Sequence, residues 1–335
     1  MTEKEMRVFH GPVNYGTQAG MLADGLRKHG IEAISAVYGD KFKRKTDIII
    51  GEGFSHFYLL RKIQLWRFFF KTFFHYNVFH FYFGMSLLSK NRDLPLYRLF
   101  GKKVVMEYLG TDVDLWLGYN GVDWRGRPVD RVKLMKRVIK QSKQVDRQLV
   151  CTPHHYQFVD NSIILPLTID IGEYSYSKRK PDYDNLTFMH CPTNRLGKRT
   201  KEIEDAIDQL KREGYHFNYK CVENVTHVQL KEEYKNSDVV IDQLNAWYGT
   251  VSVEAMAIGR PVVCGINNSY KLYDGRFYNL PIIQADIISI YSVLKDILDK
   301  KYDLEQIGKH SREFVEKVHS LDVVTDQLIE IYKSL

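Results

Sequence analysis

The chain has 335 residues, 44% of them hydrophobic and 27% charged, enough apolar material to fill two ordinary domain cores. No stretch reaches eighteen uninterrupted apolar residues, and the four cysteines form no CxxC pair, which argues against a spanning helix, a zinc site and a disulfide framework. Charge is lopsided: residues 1–150 carry 26 Lys and Arg against 14 Asp and Glu, residues 151–335 carry 22 against 27, and an anionic partner is expected for the first half, whether membrane surface, phosphorylated acceptor or nucleic acid.

The N-terminus, MTEKEMRVFHGPV, lacks the apolar region of a signal peptide, so a cytoplasmic protein is expected. Met6 to His10 reads as a strand, followed by a glycine-containing loop with Asn14 and Gly16 and a helix over Ala19 to His29. It is not the GxGxxG fingerprint. Ile31 to Val37 and Asp47 to Ile50 read as further parallel strands, separated by the basic loop Lys41 to Lys45. A helix is predicted from His56 to Phe74 and a strand from Asn77 to Phe83. That helix mixes Arg61, Lys62, Arg67 and Lys71 with Trp66, Phe68, Phe69, Phe70, Phe73 and Phe74. Large aromatics among cations suit a helix lying on anionic lipid, although a core helix with wet cations has the same composition.

Lys102 to Tyr108 reads as a strand that delivers Asp112 just past its C-terminal end, where α/β sheets hold ligands. A turn cap is the plainer role for that carboxylate. The segment from Asp114 to Arg131 is irregular and rich in Trp, Tyr and Gly, as an acceptor pocket would be. Gly172 to Asn185 reads as an interdomain linker. Beyond it, the strand Leu186 to His190 leads into a turn with Arg195 and Lys198, then a helix from about Thr200 to Glu213. By themselves such charges read as a solvated loop.

The stretch Asp238 to Ile266 is the densest signal. Val239-Val240-Ile241 reads as a buried strand, Asn245 to Thr250 as a turn, Val251 to Ile258 as a short helix capped by Gly259, and Pro261 to Ile266 as the next strand. The amides of Gly249, Thr250 and Val251 at that helix start favour a phosphate. Glu254 would repel one and better suits sugar hydroxyls. Phosphate beside polyol describes a nucleotide or a nucleotide-sugar.

The run Gly249, Ser252-Val253-Glu254-Ala255-Met256-Ala257, Gly259, Pro261-Val262-Val263 resembles the donor-site signature of retaining glycosyltransferases of the GT-B fold, family-four type. The resemblance implies two Rossmann-like α/β lobes: an acceptor-side lobe over residues 1–172 joined by a returning C-terminal helix near 320–335, a linker at 173–185, and a donor lobe at 186–319. It implies transfer of a sugar from a nucleotide-diphosphate donor, UDP- or GDP-linked, to a hydroxyl of a glycan, lipid-linked or other acceptor, with retention and without a metal. Glu254 would hold the ribose. The amides of Tyr248, Gly249, Thr250 and Val251 would face the diphosphate and sugar, and Arg195 and Lys198 would neutralise the diphosphate. Glu223 and Val225 would offer backbone to the base, with Asn14 and Gly16 approaching from the first lobe. Asp112 is the acidic candidate for catalysis there. One departure stands out: Ala246 occupies the place of the family's first glutamate. That departure keeps a non-catalytic nucleotide-sugar sensor in view, and the basic first half keeps in view an enzyme acting on modified DNA. Peripheral attachment to the inner face of a membrane through residues 56–74 would fit a lipid-linked acceptor.

Overall fold

The computed structural model describes residues 2–39, 45–110, 112–113, 130–178, 180–245 and 247–335. Most of the basic loop, the proposed acceptor-pocket segment and Ala246 lie outside the described residues. The described residues divide into two compact units: the first holds residues 2–113 and 130–168 and recovers Leu321–Leu335, and the second holds Ile169–Ser320.

The first unit follows the alternation of β-branched runs and amphipathic stretches. Its elements are β1 (Arg7–Gly11), α1 (Gln18–Lys28), β2 (Glu32–Tyr38), β3 (Ile48–Ile50), α2 (Tyr58–His75), β4 (Val78–Tyr82), α3 (Leu94–Leu99), β5 (Lys103–Tyr108), α4 (Arg131–Ser142), β6 (Arg147–Val150), α5 (Pro153–Tyr156) and β7 (Ile163–Ile164). The strands form one parallel sheet in the order β3-β2-β1-β4-β5-β6-β7. Central strands bury both faces, which is why β4 and β5 read as apolar runs without alternation.

The second unit contributes β8 (Thr187–His190), α6 (Thr200–Arg212), β9 (Asn218–Cys221), α7 (His227–Lys235), β10 (Val239–Ile241), α8 (Thr250–Ile258), β11 (Val262–Cys264), β12 (Ile282–Gln284), α9 (Ile290–Leu298) and α10 (Leu304–Val318). Its five strands are also parallel, in the order β12-β11-β10-β8-β9. Phe188, Ile207, Val239, Val263, Leu294 and Leu304 are among the buried side chains of its core. Gly259 ends α8 at φ 87, a left-handed position that a side chain would strain, and Pro261 then starts the next strand. Residues 174–177 pack on this unit: Ser177 donates its amide to Ile258 at 3.0 Å, and Arg260 returns a hydrogen bond to the Ser177 carbonyl at 2.8 Å.

The last helix, α11 (Leu321–Lys333), belongs to the first unit, where Val324, Leu328 and Tyr332 share a core with Leu22, Ala23 and Leu26 of α1. The approach is close. A Cβ on Gly25 would stand 2.1 Å from Thr325 Oγ1, so a larger residue there would have to push the Thr325 side chain aside.

Candidate functional site

In parallel sheets ligands are held beyond the C-terminal ends of the strands, and three adjacent strands of the second unit, β10, β8 and β9, deliver the candidates there. The turn after β8 carries Arg195 and Lys198. The loop after β9 carries Glu223 and Val225, and the turn after β10 leads to Tyr248, Gly249 and α8. A surface groove of about 650 Å³ lined by Tyr183, Asn185, Tyr215 and Leu298 opens at the other end of β8 and β9, away from these residues.

Lys198 is the centre of the arrangement. Its side chain is 12% exposed and forms an ion pair with the fully buried Asp242, the residue following β10. Asp242 also accepts from Ser252 Oγ at 2.6 Å and from the Gly249 amide at 3.1 Å. Burial disfavours both charges, yet their mutual attraction outweighs it: Lys198 is held above the ordinary lysine range and Asp242 below the ordinary carboxylate range. Sequence reasoning overlooked Asp242. The signal was a carboxylate directly after a β-branched strand, the feature that singled out Asp112 in the first half.

The Gly249 amide expected to face phosphate is thus already engaged by Asp242. Thr250 and Val251 open α8, where no preceding turn supplies acceptors, and both are partly exposed. Tyr248 was expected to offer its backbone amide. Its side chain is buried, stacked on Trp247 at 5.5 Å and hydrogen-bonded to His319 at 2.9 Å, so it anchors the turn and leaves only backbone for a ligand.

Glu254 sits in the second turn of α8, 6% exposed. His227 Nε2 lies 2.8 Å from one carboxylate oxygen and the Tyr234 hydroxyl donates to the other at 3.1 Å. The Tyr174 hydroxyl lies 3.4 Å from His227 Nε2, and burial, seconded by the charge of Glu254, pushes that phenol up. None of these three neighbours was singled out from the sequence; they come from α7 and from the stretch read as linker.

Arg195 is half exposed and clasped by two acids, Glu204 at 2.6 and 2.7 Å and Glu223 at 2.6 Å. The structure therefore joins Arg195 to Glu223 and Lys198 to Asp242, two separate ion-pair groups on one turn. Glu223 acts here through its side chain, whereas Val225 is half-buried before α7.

Within the first unit, Asn14 donates to the Lys45 carbonyl at 2.9 Å, and Gly16, at φ 50, is bonded through its carbonyl by Gln18 at 3.1 Å. Asp112 accepts from the amides of Gly110 at 2.8 Å and Leu109 at 3.1 Å, the geometry of a turn cap. Burial pushes its carboxyl up to about 7 despite those amides. A buried polar chain runs beneath: His80 Nδ1 meets the Tyr332 hydroxyl at 2.7 Å and its Nε2 meets Glu107 at 3.0 Å, while His10 contacts Tyr82 at 2.6 Å. Burial pushes Glu107 up to about 8 and His80 down to about 3, leaving a neutral hydrogen-bonded pair. His80 is thus a satisfied core histidine.

Among the described residues no group of three or more His, Cys, Asp or Glu side chains is gathered as a metal site requires. No protein-family model and no curated protein sequence matches the chain. Solved structures do. HepE from Anabaena, solved with UDP and glucose, superposes with a TM-score of 0.66 at 12% identity, over 99% of this chain and 100% of that one. A glycosyltransferase from Rickettsia africae gives 0.60 at 14% identity, covering 99% of each chain. S. aureus MnaA, solved with UDP, gives 0.55 at 12% identity over 98% of this chain and 96% of its own. The fold is GT-B-like. At such identities the likeness speaks for architecture, two parallel-sheet α/β lobes of seven and five strands.

Proposed function

We propose that the protein is a glycosyltransferase that takes a sugar from a nucleotide diphosphate and passes it to an acceptor hydroxyl with retention of configuration and without a metal. One observation carries this reading: a buried lysine, the open amides of a helix start and a buried glutamate one turn further on converge past the same strand ends. Lys198 and the amides of Thr250 and Val251 offer positive charge where a leaving diphosphate gathers negative charge. Glu254, whose partner His227 is half exposed, offers a carboxylate to ribose hydroxyls once that histidine swings away. Similarity in fold to proteins solved with UDP, and with UDP and glucose, supports a uridine nucleotide as the first donor to try. Asp242 positions Lys198 and does not touch substrate in this scheme.

A second reading has its own support. Each cation assigned to the diphosphate is already neutralised from within, Lys198 by Asp242 and Arg195 by Glu204 and Glu223. A site with so little spare positive charge suits a sensor that binds a nucleotide-sugar without turning it over.

Calorimetric titration with UDP, GDP, ADP and CMP, followed by nucleotide-sugar hydrolysis with and without EDTA, separates the readings. Tight binding of one nucleoside diphosphate with slow, EDTA-insensitive release from its sugar, and a product of unchanged anomeric configuration by NMR, is the expected outcome. Binding without turnover selects the sensor. Absence of binding to all four nucleotides rejects both.

A further inference from the structure

We propose that α2, with the adjoining end of α3, is a docking surface for an anionic lipid bilayer. The helix buries only Phe69, Thr72 and Phe73. Its other side presents Leu59, Ile63, Trp66, Phe70 and Phe74, which are 69, 55, 42, 47 and 67% exposed. Spaced four, three, four and four apart, they form a single stripe along one helical face. Trp66 stacks on Phe70 at 5.7 Å and Phe70 on Phe74 at 6.2 Å, so the stripe is a continuous aromatic ridge. Phe100, 59% exposed after α3, adds a further exposed ring beside the helix, packed on the buried Phe73 at 5.4 Å. A helix in a water-soluble unit ordinarily turns such a stripe inward, and a ridge of this size left in water marks an interaction surface.

Charge identifies the occupant. Arg67 and Lys71 flank the stripe on one side and Lys62 on the other, and no Asp or Glu occurs between Glu52 and Asp93. A second copy docked on the same patch would set these cations against their own images, since a twofold interface opposes a surface to itself. An anionic bilayer accepts both features at once: rings enter the boundary between headgroups and acyl chains while the cations reach lipid phosphates. No described helix is long and apolar enough to cross a membrane, so α2 would lie on the surface. The inference does not depend on the donor site and stands if nucleotide binding fails.

The test is flotation of the full chain with vesicles of phosphatidylcholine alone and of equal parts phosphatidylcholine and phosphatidylglycerol. Binding to the mixed vesicles at low salt, weakened as salt rises, is expected, with a blue shift of Trp66 fluorescence in a variant lacking the other tryptophans. At about fivefold per cation, Lys62→Gln, Arg67→Gln and Lys71→Gln together should lower partitioning about a hundredfold. Phe70→Ser with Phe74→Ser should lower it roughly tenfold or more. Both variants alter exposed side chains, and unchanged thermal melts show that they fold. Failure to float with mixed vesicles at low salt overturns the proposal, as does equal binding to the two vesicle types. A dimer seen by light scattering and lost in the double Phe variant would assign the ridge to a second copy instead.

Discussion

Replacing Lys198 by methionine tests the centre of the candidate site through stability, independently of any substrate. Among the described residues the ammonium of Lys198 is the cation paired with Asp242, whose carboxylate is fully buried and also held by one hydroxyl and one amide. Removing one partner of a buried pair leaves an uncompensated charge, at a cost of about 3–5 kcal/mol. For a unit of this size that corresponds to a melting point lower by roughly 6–20 °C. Substituting Asp242→Asn in the same chain removes the stranded charge and keeps an acceptor for Ser252 and Gly249. The double variant should therefore recover much of the loss, with a coupling of about 0.5–3 kcal/mol.

The pH dependence has a definite sign. Asp242 is depressed in the wild type, so its contribution is full above the unfolded value near 3.8 and is lost as pH falls through the lower folded value. Lys198 is raised, so its contribution is full below 10.5 and is lost as pH rises through the higher folded value. Between these limits the pair adds no slope. In Lys198→Met burial of Asp242 is opposed only by the Ser252 and Gly249 hydrogen bonds, so its pKa rises, and the deficit should shrink on going from neutral pH to about pH 5. Urea unfolding followed by circular dichroism at the two pH values measures this. A Lys198→Met protein as stable as wild type, or a double variant no better than the single one, would refute the ion pair as the organising contact.

Other consequences are equally open to measurement. Glu254→Gln should weaken UDP binding by about 1.5–3 kcal/mol, roughly 10- to 150-fold, while leaving pyrophosphate binding unchanged; equal losses for both ligands would remove Glu254 from the ribose. His227→Ala frees one oxygen of Glu254 and should leave UDP affinity unchanged or higher, whereas Tyr234→Phe strands the other oxygen in a buried place and should cost about 1–3 kcal/mol of stability. Glu107 is pushed up from 4.5 to about 8, so the folded chain holds its proton longer than the unfolded chain and stability falls as pH climbs through that window. Glu107→Gln keeps the hydrogen-bonding shape toward His80 and should flatten that slope in unfolding experiments between about pH 5 and about pH 8.

The two parallel-sheet lobes were legible because several strands, such as β3, β10 and β11, are short β-branched runs and several crossovers, such as α6, are amphipathic stretches, and both patterns follow from burial. Gly259 and Pro261 marked the end of α8 for the same local reason. What stayed hidden were pairings set by topology. Lys198 and Asp242 are 44 residues apart and meet because β8 and β10 are neighbours, with Met189 beside Val240. No local pattern records that adjacency. His227 and Tyr234 reach Glu254 only because α7 packs against α8, and Tyr174 joins them from a segment whose charge and proline read as linker. Tyr248 adds a further hidden pairing: its place in the motif was legible, but its side-chain partner His319 lies 71 residues away.

These pairings bear on the chemistry as well as on legibility. A phosphate site usually needs cations with spare charge, and here both are committed to acids of the same unit. A nucleotide bound here would have either to displace Asp242, Glu204 and Glu223 or to share the cations with them, and sharing lowers the net attraction for a diphosphate. A committed lysine also has a compensating virtue, because its ammonium is already fixed in place and loses little rotamer freedom when ligand arrives. If the protein transfers sugar, Asp242→Asn should lower turnover more than affinity, since the lysine loses its position while the ligand loses a repulsive neighbour. If it only senses a nucleotide-sugar, the same substitution should raise affinity with no turnover to lose. Measuring kcat, KM and Kd for that one variant therefore distinguishes a lysine held for catalysis from one held for the fold.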